Sequence, residues 1–425
     1  MSRAGPDRRM LLAGLGTAAL SIALPGRAAA QTAARIVVVG GGFGGATAAR
    51  FVKTFLPDAS VTLIEANPVY TACPFSNLVV GGERAIASQQ FGYAALAASG
   101  VTVVHDRAVA VDTARRAVTG QSGAGWSYDK LILSPGIDLI WDAIEGYGEE
   151  AAALFPHAWK AGEQTLLLRR QLEEMPDGGL VVMSVPPAPF RCPPGPYERA
   201  SLIAQYLKNQ KPKSKLLILD AQDQFSKQPL FEEAWAELYP GIVERRGAQD
   251  FGRVISVDAD ARTLATEFES VTADVANVIP PQKAGAIADI AGVSDATGWC
   301  PVDPVTFAST LQPDIHIIGD AIIAAPMPKS AFAANLQAKL CAFQVSRLLA
   351  GLVPQPATLT NTCYSFTSSD TAISITGVYS AGDGAFRSID GSGGLSPMGA
   401  DRYVREAEAM QAQTWFQAIT RQAFG

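Results

Sequence analysis

The sequence is poor in features that would reveal a chemistry by themselves. Its 425 residues include 34 lysines and arginines against 40 aspartates and glutamates, so there is no positive surplus for binding nucleic acid. It has no C-x-x-C-H haem-attachment motif, so any haem must belong to another polypeptide. The three histidines are weak candidates for proton transfer, because His105 and His316 fall in apolar strands and His157 falls in a loop.

Long hydrophobic runs are also scarce. An N-terminal apolar run from Met10 to Leu24 is shorter than the ~20 residues that a membrane span needs. Arg8 and Arg9 precede it and Ala28-Ala29-Ala30 follow, which is the pattern of a twin-arginine export signal over residues 1–30. An uncleaved membrane anchor is the alternative. Because the twin-arginine route carries folded proteins, the signal predicts a periplasmic protein that receives a prosthetic group before export.

A dinucleotide-binding fingerprint, R-I-V-V-V-G-G-G-F-G-G-A, follows the N-terminal segment at positions 35–46. A strand leads into Gly40, Gly42 and Gly45, and a helix follows from Ala46 to Phe55. The first two glycines permit a tight turn and a close approach to a pyrophosphate, and the third lets helix and strand pack closely. Glu65 ends the next strand, where an acid would hydrogen-bond the adenosine ribose.

Two later segments are typical of the rest of an FAD site. A buried strand begins at Asp314 and runs into Gly319 and Asp320, and Asp320 would hold a hydroxyl of the ribityl chain. Lys329 and Ser330 then precede a helix from 331 to 349. They are either ordinary helix-start residues or part of a helix N-terminus that faces the flavin pyrimidine and stabilises negative charge there. These segments predict FAD as the cofactor.

A second glycine-rich nucleotide loop is missing. The strand at 179–185 leads into P-P-A-P-F-R-C-P-P-G-P-Y-E-R, from Pro186 to Arg199. Proline has no N–H and a fixed φ, so this loop cannot wrap a pyrophosphate with backbone donors. A further strand, Leu216 to Asp220, keeps the framework of a nucleotide fold. The middle of the chain therefore predicts a degenerate domain that binds no NAD(P)H and carries Cys192 instead.

Together these patterns predict an α/β protein with two Rossmann-like three-layer domains and a C-terminal α+β region. The FAD-binding domain is discontinuous, at 31–145 and 276–355, and it encloses the degenerate domain at 146–275. The C-terminal region, 356–425, is rich in glycine, serine and threonine and ends in a helix from Arg402 to Phe424. That helix either docks on its own domain or lies on a membrane surface, although its arginines leave no broad apolar face.

The contexts of the five cysteines are more specific than the fingerprint. The motifs T-A-C-P-F-S-N, P-P-G-P-Y-E-R, G-W-C-P-V-D-P, I-I-G-D-A, M-P-K-S and N-T-C-Y-S resemble those of the flavoprotein subunit of flavocytochrome c sulfide dehydrogenase, over essentially the whole mature chain. That family belongs to the glutathione-reductase-like flavoenzymes, beside the sulfide:quinone oxidoreductases. The resemblance implies that the chain oxidises sulfide with FAD and passes electrons to a partner c-type cytochrome subunit.

The resemblance also implies a role for each cysteine. Cys73 would be joined by a thioether to FAD. Cys192 and Cys363 would form a redox-active disulfide, with Cys192 taking the sulfur of the attacking sulfide and Cys363 facing the flavin. A purely structural bridge between domains is the alternative for this pair. Cys300 and Cys341 are interpreted as buried free thiols.

Glu198, in the P-Y-E-R element, is the candidate proton carrier. Beside a poorly hydrated, proline-rich loop, a carboxyl group could have a raised pKa. The alternative is a surface glutamate paired with Arg199 or Arg191. Three other functions stay open at this point: a membrane-associated sulfide:quinone oxidoreductase, an accessory flavoprotein of a sulfur-oxidising complex, and a NAD(P)H-dependent disulfide reductase, which the proline loop disfavours.

Overall fold

The structure is a computed structural model that describes residues 33–425, and the predicted export signal lies outside the described residues. A five-stranded parallel sheet forms the first layer of the fold. Its strands, in spatial order, are Ile315–Ile317, Lys130–Leu133, Arg35–Val39, Ser60–Ile64 and Thr102–Val104. The three inner strands are short, apolar and almost fully buried, as expected for a parallel sheet covered on both faces.

A second parallel sheet forms the middle domain. Its spatial order is Val243–Arg246, Lys215–Asp220, Leu180–Val185 and Val275–Val278. The predicted nucleotide framework is therefore present. The boundary predicted after residue 275 is wrong, because it cuts the strand Val275–Val278, which pairs with Leu180–Val185 inside this sheet.

The C-terminal region consists of a long antiparallel hairpin and the last helix. The hairpin strands are Ala357–Phe366 and Ala372–Gly382, with Ala385–Ser388 and Gly394–Leu395 added to the second strand. The helix, Arg402–Ala423, buries Phe416, and Phe424 follows it. The Phe416 ring lies 4.6 Å from that of Phe75, and the Phe424 ring lies 5.2 Å from that of Tyr70. The helix thus docks on its own protein, as the first of the two alternatives predicted.

Ten α-helices lie within residues 33–425. They are Phe43–Phe55, Ser76–Gly81, Ala94–Ala98, Glu149–Ala152, Glu163–Glu174, Gly195–Gln210, Gln228–Leu238, Ile287–Ile290, Ala331–Leu349 and Arg402–Ala423. The first begins three residues earlier than predicted, because Gly44 and Gly45 already belong to its first turn. In this part of the chain, no helix has both the length and the apolar character needed to cross a bilayer.

Smaller strands and 3-10 turns complete the fold. The paired strands are Tyr70–Thr71 with Gln90–Phe91, Ile137–Leu139 with Gln282–Ala284, the meander Ala108–Asp112, Ala117–Gly120 and Gly125–Ser127, and the meander Ser256–Asp258, Thr263–Ala265 and Ser270–Thr272. The 3-10 turns are Ile86–Gln89, Trp141–Ala143, Ala248–Asp250 and Gly319–Ala321. The two parallel sheets and the hairpin confirm the predicted fold class, and together they place three chain segments around one cavity.

Candidate active site

A cavity of about 770 Å³ lies among the described residues. It is lined by the glycine turn of the first domain, the proline loop of the middle domain and the C-terminal hairpin. The predicted site residues that line it are Gly40, Gly42, Glu65, Cys73, Cys192, Glu198, Gly319, Asp320, Ser330 and Cys363. Residues that are distant in the sequence therefore meet at one place.

The glycine turn has the close packing that the fingerprint predicts. Gly40 has φ +95°, a conformation that side chains disfavour. A Cβ on Gly45 would lie 1.8 Å from the Gly40 carbonyl oxygen, so only glycine fits there. Glu65 Oε2 accepts a hydrogen bond from the Gly41 amide at 2.6 Å. The predicted ribose-binding acid therefore stands beside the turn and is held in place by it.

Asp320 carries an unpaired acceptor at the cavity wall. Its Oδ1 is buried without a hydrogen-bond partner, and its Oδ2 lies 3.9 Å from Arg191 Nη1. Burial raises the pKa of this carboxyl group. An orphaned buried oxygen of this kind calls for a donor such as a ligand hydroxyl.

The Lys329 side chain bonds the backbone of the Asp320 turn. Its Nζ donates to the carbonyls of Asp320 and Ile322 at 2.8 and 2.7 Å. It also lies 3.7 Å from the centre of the Trp299 ring. The ammonium group thus fixes the Asp320 turn, and the prediction that Lys329 binds the cofactor stays a prediction. Ser330 does line the cavity, where it caps the helix Ala331–Leu349.

Two of the cysteines reach the cavity from different domains. Cys192 lies in the proline loop with φ +55°, in the left-handed region, and its amide donates to the Lys329 carbonyl at 2.9 Å. Cys363 lies on the first strand of the hairpin, and its sulfur accepts a hydrogen bond from Asn361 Nδ2 at 3.2 Å. Both are free thiols in this structure, so their predicted disulfide stays a prediction.

The remaining three cysteines divide into one cavity residue and two core residues. Cys73 lines the cavity, where its sulfur donates to the Trp159 carbonyl at 3.7 Å. Cys300 and Cys341 are fully buried and free, as predicted. Burial raises the pKa of Cys300 to about 12, which keeps that thiol protonated. Cys73 is thus the third cysteine available to a ligand.

Glu198 is buried, so the interpretation as a surface glutamate is wrong. Its Oε2 accepts from Asn77 Nδ2 at 2.7 Å, and its Oε1 accepts from the Phe366 amide at 2.9 Å. Burial raises its pKa, against the effect of these two hydrogen bonds. Arg199 is not its ion-pair partner. The position and the desolvated carboxyl group are those expected of a proton carrier.

Arg199 belongs to a buried hydrogen-bond network that was not predicted from the sequence. Its guanidinium donates to Asn77 Oδ1 at 3.0 Å, Asn277 Oδ1 at 2.9 Å, and the carbonyls of His157 and Ala158 at 3.0 and 2.6 Å. Asn77 is also the last residue of the T-A-C-P-F-S-N motif, so the motif already contained one residue of this network. The network orients Asn77, which in turn holds Glu198.

The acid at the end of the second strand of the middle domain is paired within the protein. Asp220, at the end of the second strand, accepts from the Tyr197 hydroxyl at 2.7 Å and from Arg245 Nε at 2.9 Å. The Phe225 ring stacks on Tyr197 at 3.6 Å between centroids. The acid that would bind a ribose in a nucleotide domain is fully buried here and already paired.

Comparison with known proteins identifies the family. Residues 165–280 match the sequence model for the central part of the sulfide dehydrogenase (flavocytochrome c) flavoprotein chain, and residues 355–424 match the model for the flavin-binding part of flavocytochrome c sulphide dehydrogenase. Residues 34–163 match the pyridine nucleotide-disulphide oxidoreductase model. A sulfide dehydrogenase flavoprotein chain of Chlorobaculum thiosulfatiphilum is 53% identical over 45 residues, which are 94% of that sequence and 11% of this chain. The chain belongs to the flavocytochrome c sulfide dehydrogenase flavoprotein family.

Sulfide:quinone oxidoreductases are similar over a longer stretch. The mitochondrial enzyme of Mus musculus is 24% identical over 300 residues, which cover 67% of this chain and 65% of the mouse protein, just under two thirds of its length. The crystal structure of the sulfide:quinone oxidoreductase of Aquifex aeolicus superposes with a TM-score of 0.73 at 18% identity, covering 92% of both chains. This structure shares the fold with the chain.

The cavity fits FAD, the cofactor that the flavin-binding matches indicate. The glycine turn leaves room for a pyrophosphate and Glu65 stands at its edge. The unpaired Oδ1 of Asp320 offers an acceptor to a ribityl hydroxyl. The first turn of the helix Ala331–Leu349 also lines the cavity, through Ala331 and Phe332, as predicted for a helix that faces the pyrimidine.

Glu198→Gln should change how the stability of this flavoprotein depends on pH. Because burial raises the pKa of Glu198 in the folded state, its contribution is fully present below the ordinary carboxyl pKa and is lost as pH rises through the folded pKa. From pH 4 to 8, the free energy of unfolding of the wild type should therefore fall relative to that of the variant. Urea unfolding at several pH values measures this difference. A constant difference over that range would contradict the raised pKa.

Proposed function

We propose that the chain is a periplasmic sulfide dehydrogenase that oxidises sulfide at Cys192 and Cys363 and passes electrons through FAD to a c-type cytochrome. One observation carries the proposal: two cysteines from different domains line the same cavity as a desolvated glutamate. Membership of a family of sulfide-oxidising flavoproteins supports sulfide as the substrate. In this proposal Cys192 and Cys363 form a disulfide when oxidised.

The first step is a thiol–disulfide exchange. Hydrosulfide attacks the sulfur of Cys192, the bond between the two cysteines breaks, and its electron pair stays on Cys363. The products are a persulfide on Cys192 and a thiolate on Cys363. A second hydrosulfide then attacks the outer sulfur of the persulfide, releasing H₂S₂ and the thiolate of Cys192. The two cysteines have gained two electrons and the two sulfides have lost two, so the step is balanced.

Loss of two electrons from the cysteine pair re-forms the disulfide. FAD, when bound, supplies an acceptor that takes electrons in pairs and releases them singly. Cys73, Glu65, Asp320 and Ser330 are the residues that would hold it, with Cys73 proposed as the covalent link. Glu198 takes up the proton that H₂S loses, because burial raises the pKa of its carboxyl group and so favours the protonated form.

Two features support the exclusion of NAD(P)H as the electron donor. The amides of Arg191, Cys192 and Gly195 in the proline loop already donate to protein acceptors, at 2.9, 2.9 and 2.8 Å. Tyr197 and Arg245 already donate hydrogen bonds to Asp220, the acid that would bind the ribose. These three amides and the Asp220 carboxylate are therefore not available to a nucleotide.

Anaerobic titration with sulfide tests the proposed reaction. Sulfide should bleach the oxidised flavin of the wild type or give a long-wavelength charge-transfer band. Cys192→Ser and Cys363→Ser should each slow reduction on the order of a thousandfold or more, because each removes one sulfur of the exchange. Cys341→Ala, a buried thiol outside the cavity lining, is the matched control and should react like the wild type. A wild type that shows neither spectral change would overturn the proposal.

The electron acceptor is tested on the same reduced samples. A small soluble c-type cytochrome should reoxidise them, while a short-chain soluble quinone should not. The opposite result would favour the sulfide:quinone oxidoreductase alternative. Flavin binding without any turnover of sulfide would favour an accessory flavoprotein of a sulfur-oxidising complex.

Covalent attachment of FAD should survive denaturation. After acid precipitation of the purified protein, the yellow colour should stay in the pellet for the wild type and move to the supernatant for Cys73→Ala. The variant should still bind flavin before precipitation, since the glycine turn and Asp320 are intact. Colour in the wild-type supernatant would rule out the thioether.

Export should remove the N-terminal segment. Mass spectrometry of protein isolated from the periplasm should give a chain that begins close to residue 31. Replacing Arg8 and Arg9 with lysines should leave the full-length chain in the cytoplasm. A full-length chain in the periplasm would contradict cleavage at this site.

A further inference from the structure

Lys227 is a buried cation at the junction of two domains. It precedes the helix Gln228–Leu238 with φ +64°, and only 4% of it is exposed. Its Nζ crosses to the C-terminal hairpin and donates to the Cys363 carbonyl at 2.9 Å, Ser365 Oγ at 2.8 Å and the Ile373 carbonyl at 3.4 Å. All three acceptors are uncharged. The ammonium group is thus well hydrogen-bonded, while its charge is not neutralised by them.

No carboxylate of residues 33–425 forms an ion pair with Lys227 within 4.0 Å. The two acids that raise the pKa of Lys227, Glu198 and Glu408, are already engaged with other groups. Glu198 accepts from Asn77 and from the Phe366 amide. Glu408 accepts from Ser374 at 2.8 Å and lies 3.5 Å from Arg405. A buried charge normally has a partner of opposite sign, so the position calls for an anion that forms only during the reaction.

The two reactive sulfurs differ in their surroundings. Cys363 sits on the strand that Lys227 holds, and its sulfur accepts a hydrogen bond from Asn361 Nδ2. Among the described residues no side chain donates a hydrogen bond to the sulfur of Cys192. A thiolate on Cys363 would therefore gain a nearby cation and an existing donor, whereas one on Cys192 would lack the donor.

We propose that Lys227 is a positioning residue that stabilises the thiolate of Cys363, making Cys363 the leaving group and directing the incoming sulfur to Cys192. The proposal rests on the proposed function, because it concerns the exchange step written above. Hydrosulfide bonds to Cys192, the bond between the cysteines breaks, and the electron pair stays on Cys363 beside Lys227. In such exchanges the better-stabilised thiolate leaves faster.

Charges around Lys227 decide the pH range in which it acts. Burial lowers the pKa of Lys227 to about 8, while Cys363, Glu198, Cys192 and Glu408 act in the opposite direction. Burial also raises the pKa of Cys363, and Lys227 and Asn361 counter that rise. For Cys192, burial, Cys363 and Glu198 raise the pKa strongly, and Lys227 and Arg191 only partly counter that rise. At neutral pH, Lys227 is therefore the cation that favours ionisation of Cys363.

The test is the pH dependence of thiol alkylation in the reduced flavoprotein without sulfide. Small uncharged iodoacetamide is added at several pH values, and the labelling rates of Cys363 and Cys192 are read separately by peptide mass spectrometry. In the wild type, the labelling rate of Cys363 should reach its midpoint at a lower pH than the labelling rate of Cys192. In Lys227→Met, the midpoint of Cys363 should move upward by about one pH unit or more, because the cation is gone.

Ser365→Ala is the matched control, since it removes one hydrogen bond of Lys227 and keeps the charge. Its Cys363 midpoint should stay at the wild-type value. A shift in Ser365→Ala equal to that in Lys227→Met would assign the effect to packing and overturn the proposal. If Lys227→Met does not fold, the wild type still tests the proposal. A labelling midpoint of Cys363 at a higher pH than that of Cys192 would overturn it.

A second measurement follows the sulfur atom. The oxidised wild type is mixed with less than one equivalent of sulfide, and trapping with iodoacetamide should then find the added sulfur on Cys192. Added sulfur on Cys363 would overturn the proposed direction. If neither cysteine gains sulfur, the proposed function fails, whereas the alkylation midpoints still decide whether Lys227 stabilises the thiolate.

Discussion

The site depends on the burial of the Glu198 carboxyl group between three parts of the chain. Its two oxygens accept hydrogen bonds from Asn77 of the first domain and from the Phe366 amide of the hairpin, while Glu198 itself belongs to the middle domain. Arg199 supports this junction with four hydrogen bonds. The hydrogen bonds to the Glu198 carboxyl group reduce the cost of burying its charge without cancelling it, because its pKa stays raised. The same contacts that hold the domains together therefore keep water away from a carboxyl group.

The middle domain has the strand arrangement of a nucleotide-binding fold, but the residues at the ends of its strands make different contacts. The second strand still ends in an acid, but Tyr197 and Arg245 satisfy Asp220 internally. The first strand still leads into a loop and a helix, but the loop presents Cys192 in a left-handed conformation. A strained backbone at a reactive residue persists only when the surroundings fix it, and here the Cys192 amide is bonded to the Lys329 carbonyl. The loop after the first strand thus supplies the position of a thiol.

Much of the fold could be predicted because its signals are local. The glycine turn, the strand before Asp320 and the helix that follows Ser330 depend on short-range sterics and on apolar periodicity. Cys192, Cys363 and Glu198 could be singled out because their motifs resemble those of a known family. The roles of Lys227, Arg199 and Asn77 could not be predicted. Their partners lie far away in the sequence, as the Cys363 carbonyl does for Lys227 and the Glu198 carboxylate does for Asn77, and no spacing in the sequence records which side chain reaches them.

Lys329 also shows that the sequence does not predict where a long side chain points. Its position before a helix start indicated a cation beside the cofactor segment, but not that its ammonium group bonds the carbonyls of Asp320 and Ile322. The sequence indicates that a cation is near, while the direction of a long flexible side chain is decided by which acceptors are unsatisfied after folding.

Burial would by itself make this a poor site for thiol chemistry. It raises the pKa of both Cys192 and Cys363, so the thiols are protonated and weakly nucleophilic near neutral pH. For the proposed reaction, however, the nucleophile comes from solution as hydrosulfide, and the protein needs to stabilise the sulfur that leaves. A dry cavity strengthens the attraction between a buried ammonium group and a nascent thiolate, because little water screens them. The desolvation that suppresses the resting thiols is thus the condition under which one lysine can distinguish between them.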